Sequence, residues 1–276
     1  RGYDSAGIAV YDGENILMKK AKGRLKILSD LTHEGALVPG KMGIGHTRWA
    51  THGAPNDINA HPHYSEDESI AIVHNGIIEN YLKIKEKLVA KGYHFQSETD
   101  TEVVAQYLSY LYKGDPIEAI TKLMHRVEGS YAFGIIFKDR PEELFAVRKD
   151  SPLIVGIGEK GNLIASDVPA ILKYTRTVFY IQNEEIAMLK KDSVCFYNVD
   201  GEEIQKEPAT IEWDINAAEK DGYDHFMLKE MYEQPKTVRD TISPRIKDGK
   251  IEIEELGMTD EEIKAINKII IVACGS

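Results

Sequence analysis

At 276 residues the chain can fill one large domain, or one domain and a piece of a second. A formal net charge of −11 argues against nucleic-acid backbone binding, and no apolar run reaches the length of a membrane span. Two distant cysteines, Cys195 and Cys274, fit a reducing cytoplasm rather than a disulfide framework, and no signal-peptide pattern opens the chain.

In chain order, Gly7 to Tyr11 and Ile16 to Lys19 predict strands joined in a hairpin about Asp12-Gly13-Glu14-Asn15. Leu25, Leu28 and Leu31 mark a short helix. Met42 to Trp49 and Ser69 to His74 read as strands separated by a long polar loop. Helices are expected over Glu79 to Ala90, Thr101 to Tyr112 and Pro116 to Val127, with Thr99 and Asp100 suited to cap the second. From Ser130 β-signals dominate: Tyr131 to Phe137, Leu144 to Arg148, Leu153 to Ile157, Leu163 to Ser166, Val178 to Ile181, Ile186 to Leu189 and Val194 to Tyr197. A short helix is expected near Pro169 to Tyr174. Strands in both halves with helices grouped between them predict an α+β layered fold rather than alternating βαβ units.

Residues 207–250 are polar and broken by Gly222, Pro235, Pro244 and Gly249, which reads as a linker. Thr259 to Asn267 then looks helical, and Ile269 to Ala273 reads as a buried strand feeding a Gly-Ser turn, the opening of an α/β domain. Both chain ends are expected to be cuts.

Three polar clusters end apolar stretches and carry the parts of an amino-acid site. Arg48 offers a planar fork for a carboxylate, Asp100 a partner for an ammonium, and the Asn75-Gly76 pair donors for an oxyanion. Each also has a plainer reading: a structural arginine with a local carboxylate, a helix cap, and an ordinary turn. Five of the nine histidines (His46, His52, His61, His63 and His74) fall in one segment. His61-Pro62-His63 could seed a metal site and hence a metal-dependent hydrolase. That reading is discounted because no ligand spacing of the HExxH type and no adjacent carboxylate accompany it. The run Arg1 to Gly7 reads as a tight turn, and Cys195 as an inert core thiol.

Taken together, RGYDSAGIAV (1–10), GIGHTRWATHG (43–53), NAHPH (59–63), VHNGIIEN (73–80), SETDTEV (97–103), MLKEMYEQP (227–235) and IIIVACGS (269–276) resemble the class II, N-terminal-nucleophile glutamine amidotransferases. Within that family they resemble most the branch that aminates fructose 6-phosphate. The resemblance implies a four-layer αββα sandwich over residues 1–210, lacking its N-terminal segment, an interdomain linker over 211–250, and the start of a truncated sugar isomerase domain over 251–276.

It also implies roles. Arg48 would clamp the glutamine α-carboxylate and Asp100 its α-ammonium, while Asn75 and Gly76 would form the oxyanion hole. Trp49, Thr51 and His52 would sit in a loop closing over glutamine, and Arg1 near the nucleophile. The family's nucleophile is an N-terminal cysteine with its own α-amine as base, and this chain carries no such cysteine; the polypeptide alone is therefore expected to lack glutaminase activity. The implied enzyme releases ammonia from glutamine and delivers it to fructose 6-phosphate, giving glucosamine 6-phosphate for hexosamine and cell-wall precursor synthesis. No metal or organic cofactor, no nucleic acid and no membrane is implied; the full-length enzyme is expected to be a cytoplasmic homo-oligomer, a homodimer. A glutaminase domain of another class II amidotransferase and a non-catalytic amino-acid-binding module are the alternatives.

Overall fold

The structure, a computed structural model, describes residues 4–50, 53–212, 222–247, 249–253 and 256–272. The chain divides into two compact units, residues 1–215 and 216–276.

In the first unit β1 (Ser5–Tyr11) and β2 (Ile16–Lys22) form the expected hairpin. Asp12 closes it: its carboxylate accepts from the Glu14 and Asn15 N–H groups at 2.8 and 2.7 Å. The other edge of β1 pairs with β3 (Met42–Arg48), completing a three-stranded antiparallel sheet. The expected short helix, α1 (Leu25–Leu31), packs Leu28 against Ala6 and Ala21 on this sheet.

A seven-stranded antiparallel sheet is the centre of the unit. Its strands are β4 (His63–Tyr64), β5 (Ile70–Ile78), β6 (Gly129–Phe137), β7 (Leu144–Lys149), β11 (Glu185–Leu189), β12 (Val194–Tyr197) and β13 (Glu203–Ile204), in the order β13-β12-β11-β7-β6-β5-β4. β6 explains the layering, because alternate side chains face opposite ways. Tyr131, Phe133, Ile135 and Phe137 enter one core with residues of α2 (Tyr81–Val89), α3 (Asp100–Leu111) and α4 (Pro116–Met124), among them Leu88, Leu108 and Leu123. Fully burying each such side chain contributes about 1.5–3 kcal/mol. Ala132 and Ile136 point the other way and pack against two smaller sheets. One is β2-β1-β3. The other is four-stranded, built from β8 (Ile154–Gly156), β9 (Leu163–Ala165), β10 (Thr177–Tyr180) and β14 (Ala209–Thr210) in the order β14-β10-β8-β9.

The unit is thus the expected α+β sandwich, with helices, a large sheet, a facing sheet layer and α1 outside it. Two face-to-face sheets were expected, but the facing layer is split in two. β3 and β9 are each the last strand of their own sheet. Gly134 of β6 lies under the split: a Cβ there would stand 2.8 Å from Ile164 of β9 and 3.6 Å from Ile44 of β3. Strand signals report where extended segments lie, not which edges meet, so the split was invisible in the sequence.

Two further details differ from expectation. Thr99 alone caps α3, its hydroxyl accepting from the Glu102 N–H, and Asp100 is the first helical residue rather than a cap. The helix expected near Pro169 is a single 3-10 turn, Val168–Ala170.

The second unit holds α5 (Phe226–Ile242), a small hairpin of β15 (Ile246–Lys247) and β16 (Lys250–Ile251), and α6 (Asp260–Lys264), which Thr259 and Glu262 start with a reciprocal capping box. The 17-residue α5 lies inside the stretch read as a polar linker. Pro235, a breaker by residue type, stands within it; the strong helix formers Met227 to Met231 with Glu233 and Gln234 ahead of it carry the helix through the one N–H it removes. The expected strand at Ile269 to Ala273 does not form over residues 269–272, where Ile271 is 88 % exposed; Ala273 lies outside the described residues. An all-apolar strand needs a partner on each edge, and the described residues supply none there.

Candidate functional site

β3 and β5 face one another, and strand periodicity sets what meets between them. Ile44, His46 and Arg48 share one row of β3; Ala71, Val73 and Asn75 share one row of β5. Ile44 packs with Ala71 and Val73 in an apolar cluster. One step further along, the same rows bring His46 to Asn75, with His46 Nε2 2.8 Å from Asn75 Oδ1. A polar site therefore continues directly from an apolar core.

The next residue in the β3 row is Arg48, buried at 3 % exposure. Its guanidinium donates to the carbonyls of Gly53 and Ala54 at 3.2 and 3.4 Å. That loop is fixed in turn: Asn59 Nδ2 donates to the Ala54 carbonyl at 2.9 Å and to Glu98 at 3.0 Å, and the Glu98 N–H donates to Asn59 Oδ1 at 3.0 Å. Burial pulls the Arg48 pKa down, opposed by the negative charges of Asp4, Asp100 and Glu98. Lys20, tied to the Ile58 carbonyl at 2.8 Å, is pushed down by burial to about 8.

Asp100 is equally buried, at 4 % exposure, in the first turn of α3, where a carboxylate is favoured by the helix dipole. One oxygen accepts from the Ile78 N–H at 2.8 Å and lies 3.9 Å from His74 Nδ1. Around it the SETDTE run is knitted into the fold. Glu102 reaches back to the Gln96 and Ser97 N–H groups at 2.8 and 2.6 Å and takes the Ser97 hydroxyl at 2.6 Å.

Gly76 of β5 lies opposite Tyr131 of β6, against the Ser130 backbone. Its φ is +125°, and a Cβ would lie 2.1 Å from the Ser130 carbonyl oxygen. Only glycine fits.

The clustered histidines are held by threonines and by one another. His61 Nε2 is 3.3 Å and His74 Nδ1 2.9 Å from the Thr101 hydroxyl, and His63 Nε2 is 3.0 Å from that of Thr99. His61 stacks on His46, centroids 4.5 Å apart. Burial lowers the pKa of His46 and drives those of His61 and His63 well below the ordinary value, so all three are neutral at pH 7. Among the described residues no group of three His, Cys, Asp or Glu is disposed to hold a metal ion.

A single cavity of about 810 Å³ is lined by Arg48, Trp49, Asn75, Gly76 and Asp100, together with His46, Thr101 and, across the split, Ser151, Ser166 and Asp167. Trp49 stands at its lip, 71 % exposed. Arg1, Thr51 and His52 fall outside the described residues. Cys195 is in β12 and does not line the cavity; Cys274 lies outside the described residues. A guanidinium, a carboxylate and a carboxamide around one cavity match a zwitterion with a polar side chain.

Two residues of the site were missed. Asp4, within a run read as a turn, holds the chain after Trp49 by accepting from the Ala50 N–H at 2.5 Å. His46 was counted among the histidines but not linked to Asn75; the alternation of β3 and β5 contained that signal.

A family model described as a glutamine amidotransferase domain matches residues 31–205. Over its whole length the chain is 55 % identical to the isomerizing glutamine–fructose-6-phosphate aminotransferase of Caldanaerobacter subterraneus subsp. tengcongensis, and 54 % and 46 % identical to those of Clostridium acetobutylicum and Aquifex aeolicus. It spans 45 % of the length of each of these relatives. Among solved structures, glutamine phosphoribosylpyrophosphate amidotransferase from B. subtilis superposes with a TM-score of 0.62 at 25 % identity, over 72 % of this chain and 43 % of that one. A glutamine aminotransferase class-II domain protein from Silicibacter pomeroyi shares the fold, with a TM-score of 0.52 at 13 % identity, over 71 % of this chain and 91 % of that one. The family match extends over more than half the chain and includes the Arg48, Asn75 and Asp100 segments: this chain belongs to the glutamine amidotransferase domain family.

Proposed function

We propose that this chain is the glutamine-hydrolysing half of an enzyme that moves the amide nitrogen of glutamine onto fructose 6-phosphate, forming glucosamine 6-phosphate. The observation that carries the reading is the shared cavity. Arg48, Asn75-Gly76 and Asp100 come from β3, β5 and α3 and line one space. The choice of acceptor rests on the relatives of 46–55 % identity.

In this reading Arg48 binds the α-carboxylate of glutamine and Asp100 its α-ammonium. The side-chain amide then lies toward Asn75 and Gly76. A cysteine thiolate attacks the amide carbon; the oxyanion is held by the Asn75 carboxamide and Gly76 N–H; ammonia leaves, and water hydrolyses the thioester to glutamate. Cys195 does not line the cavity, and following the family resemblance the thiol is assigned to a segment outside this chain, with its terminal α-amine as base. Among the described residues β3 and β9 each end their sheet beside the cavity, and their outer edges offer that segment a place to add as a strand. Trp49, Thr51, His52 and Arg1 are assigned to the loop and entrance around bound glutamine, which keeps ammonia from bulk water. The stretch 251–276 is assigned to the start of a sugar isomerase domain that binds fructose 6-phosphate, in a cytoplasmic homodimer.

The test is calorimetric titration of the chain with L-glutamine, beside a full-length assay for glucosamine 6-phosphate formation. Arg48→Ala and Asp100→Ala are each expected to abolish measurable glutamine binding. Undiminished binding in both variants overturns the site; binding without turnover in the full-length protein supports the amino-acid-binding module instead.

A further inference from the structure

We propose that His46 is a positioning residue that locks the Asn75 carboxamide with its NH2 group turned into the cavity. The inference rests on the reading of Asn75 as an oxyanion donor. A carboxamide has two nearly isosteric ends, one donating and one accepting, and only the donating end can stabilise an oxyanion. Something must therefore fix which end faces the reacting atom.

His46 Nε2 lies 2.8 Å from Asn75 Oδ1. The amide oxygen carries no hydrogen, so the hydrogen is on Nε2 and the imidazole donates. With Oδ1 occupied, Nδ2 is the end left to the cavity that Asn75 lines. The ring is itself held: it stacks on His61 at 4.5 Å with 24° between planes, and His61 is anchored through Thr101. Burial keeps His46 neutral, so it donates without placing a second cation beside Arg48. The chain from Thr101 through His61 and His46 to Asn75 thus connects the first turn of α3, which carries Asp100, to the donor on β5.

The test uses glutamine hydrolysis by the full-length protein. Asn75→Ala is expected to lower kcat by roughly 100- to 1000-fold. His46→Gln keeps an N–H donor, whereas His46→Glu offers only an acceptor at neutral pH and turns the amide around. His46→Glu is expected to lose about 30-fold or more in kcat with KM for glutamine within about threefold, because the oriented NH2 acts only in the transition state. His46→Gln should recover most of that loss. Adding His46→Glu to Asn75→Ala should cost little more, since both remove the same donor. Glutamine binding by calorimetry confirms that each variant is folded; if His46→Glu fails to bind, His46→Phe, which keeps the stack on His61 and lacks the donor, replaces it with the same expected kcat loss. Full kcat in the donor-free variant, a loss confined to KM, or losses that multiply in the double variant overturn the inference. Full activity in Asn75→Ala would instead overturn the oxyanion reading beneath it.

Discussion

Gly76→Ala isolates a backbone requirement at the heart of the site. Two effects add. At φ +125° an alanine is outside the regions an L residue adopts, which costs about 1–3 kcal/mol. Its Cβ would also stand 2.1 Å from the Ser130 oxygen and 2.7 Å from the Ser130 carbonyl carbon. Ser130 cannot retreat easily, because β5 and β6 pair continuously from Ile70↔Phe137 to Ile78↔Gly129, with Gly76 opposite Tyr131. Prising the ladder apart there adds on the order of 1–3 kcal/mol, as overpacking does in a core. The sum, about 2–6 kcal/mol, is a large fraction of the 5–15 kcal/mol typical of a domain. Gly92→Ala is the control: φ there is +94° with nothing within 4 Å of the added Cβ, so only the conformational penalty remains. Urea unfolding of both variants, followed by circular dichroism, gives the difference. Gly76→Ala should fall below Gly92→Ala by at least about 1 kcal/mol. Equal midpoints would refute the argument that the Ser130 backbone excludes a side chain at residue 76.

Arg48→Lys keeps the charge but loses the planar fork, and should weaken glutamine binding by about 10- to 100-fold in calorimetry, or 1.4–2.7 kcal/mol; unchanged affinity would show that Arg48 holds the fold and not the ligand. Folded His61 and His63 resist protonation, so between their lowered pKa values and the unfolded value near 6.5 the unfolded chain binds more protons. Stability should be fully present above pH 6.5 and fall as pH drops toward 5, by up to about 1.4 kcal/mol per pH unit for each histidine; denaturation midpoints that do not move between pH 7.5 and 5 would contradict this. Glu102→Ala strands the buried Ser97 N–H and removes the acceptor of the Ser97 hydroxyl and of the part-buried Gln96 N–H, and should destabilise the first unit by about 2–4 kcal/mol in the same urea assay, against less than about 0.5 kcal/mol for the exposed Glu14→Ala.

How much of this was written in the sequence depends on whether the governing interaction is local. The β1–β2 hairpin, α1 and the Thr99 cap follow from turn residues, leucine spacing and a hydroxyl two positions ahead of Thr101, all within a few residues of one another. Helix α5 was hidden because Pro235 is a strong local signal, and a single missing N–H is a weaker constraint than the run of Met, Leu, Lys, Glu and Gln before it. The split between β3 and β9 was hidden for a different reason: edge pairing depends on residues more than a hundred positions apart. In the site, Arg48, Asn75 and Asp100 stood out as candidates one residue at a time, and the structure lines one cavity with all three. The supports around them, Asp4, His46, Asn59 and Thr101, did not stand out, since each acts across 27 to 46 positions of chain.

The site inherits its rigidity from the core through strand register. On β3 and β5 the same two rows pass from Ile44 against Ala71 and Val73 to His46 against Asn75, so sliding either strand would break apolar packing before it misaligned the polar pair. Helix α3 repeats the device, because Val104 and Leu108 sit in the helix-side core while Asp100 and Thr101 at its first turn face the cavity. Each element thus spans core and site, and a substitution deep in the core should be felt at Asn75. Val73→Ala, two residues before Asn75 and on the same face, removes two methyl groups from that packing. It is expected to lower stability by about 1–3 kcal/mol and also to reduce kcat in the full-length protein, as His46→Glu does. A stability loss of that size with kcat intact would mean that the Asn75 side chain is held by its bond to His46 and not by the register beneath it.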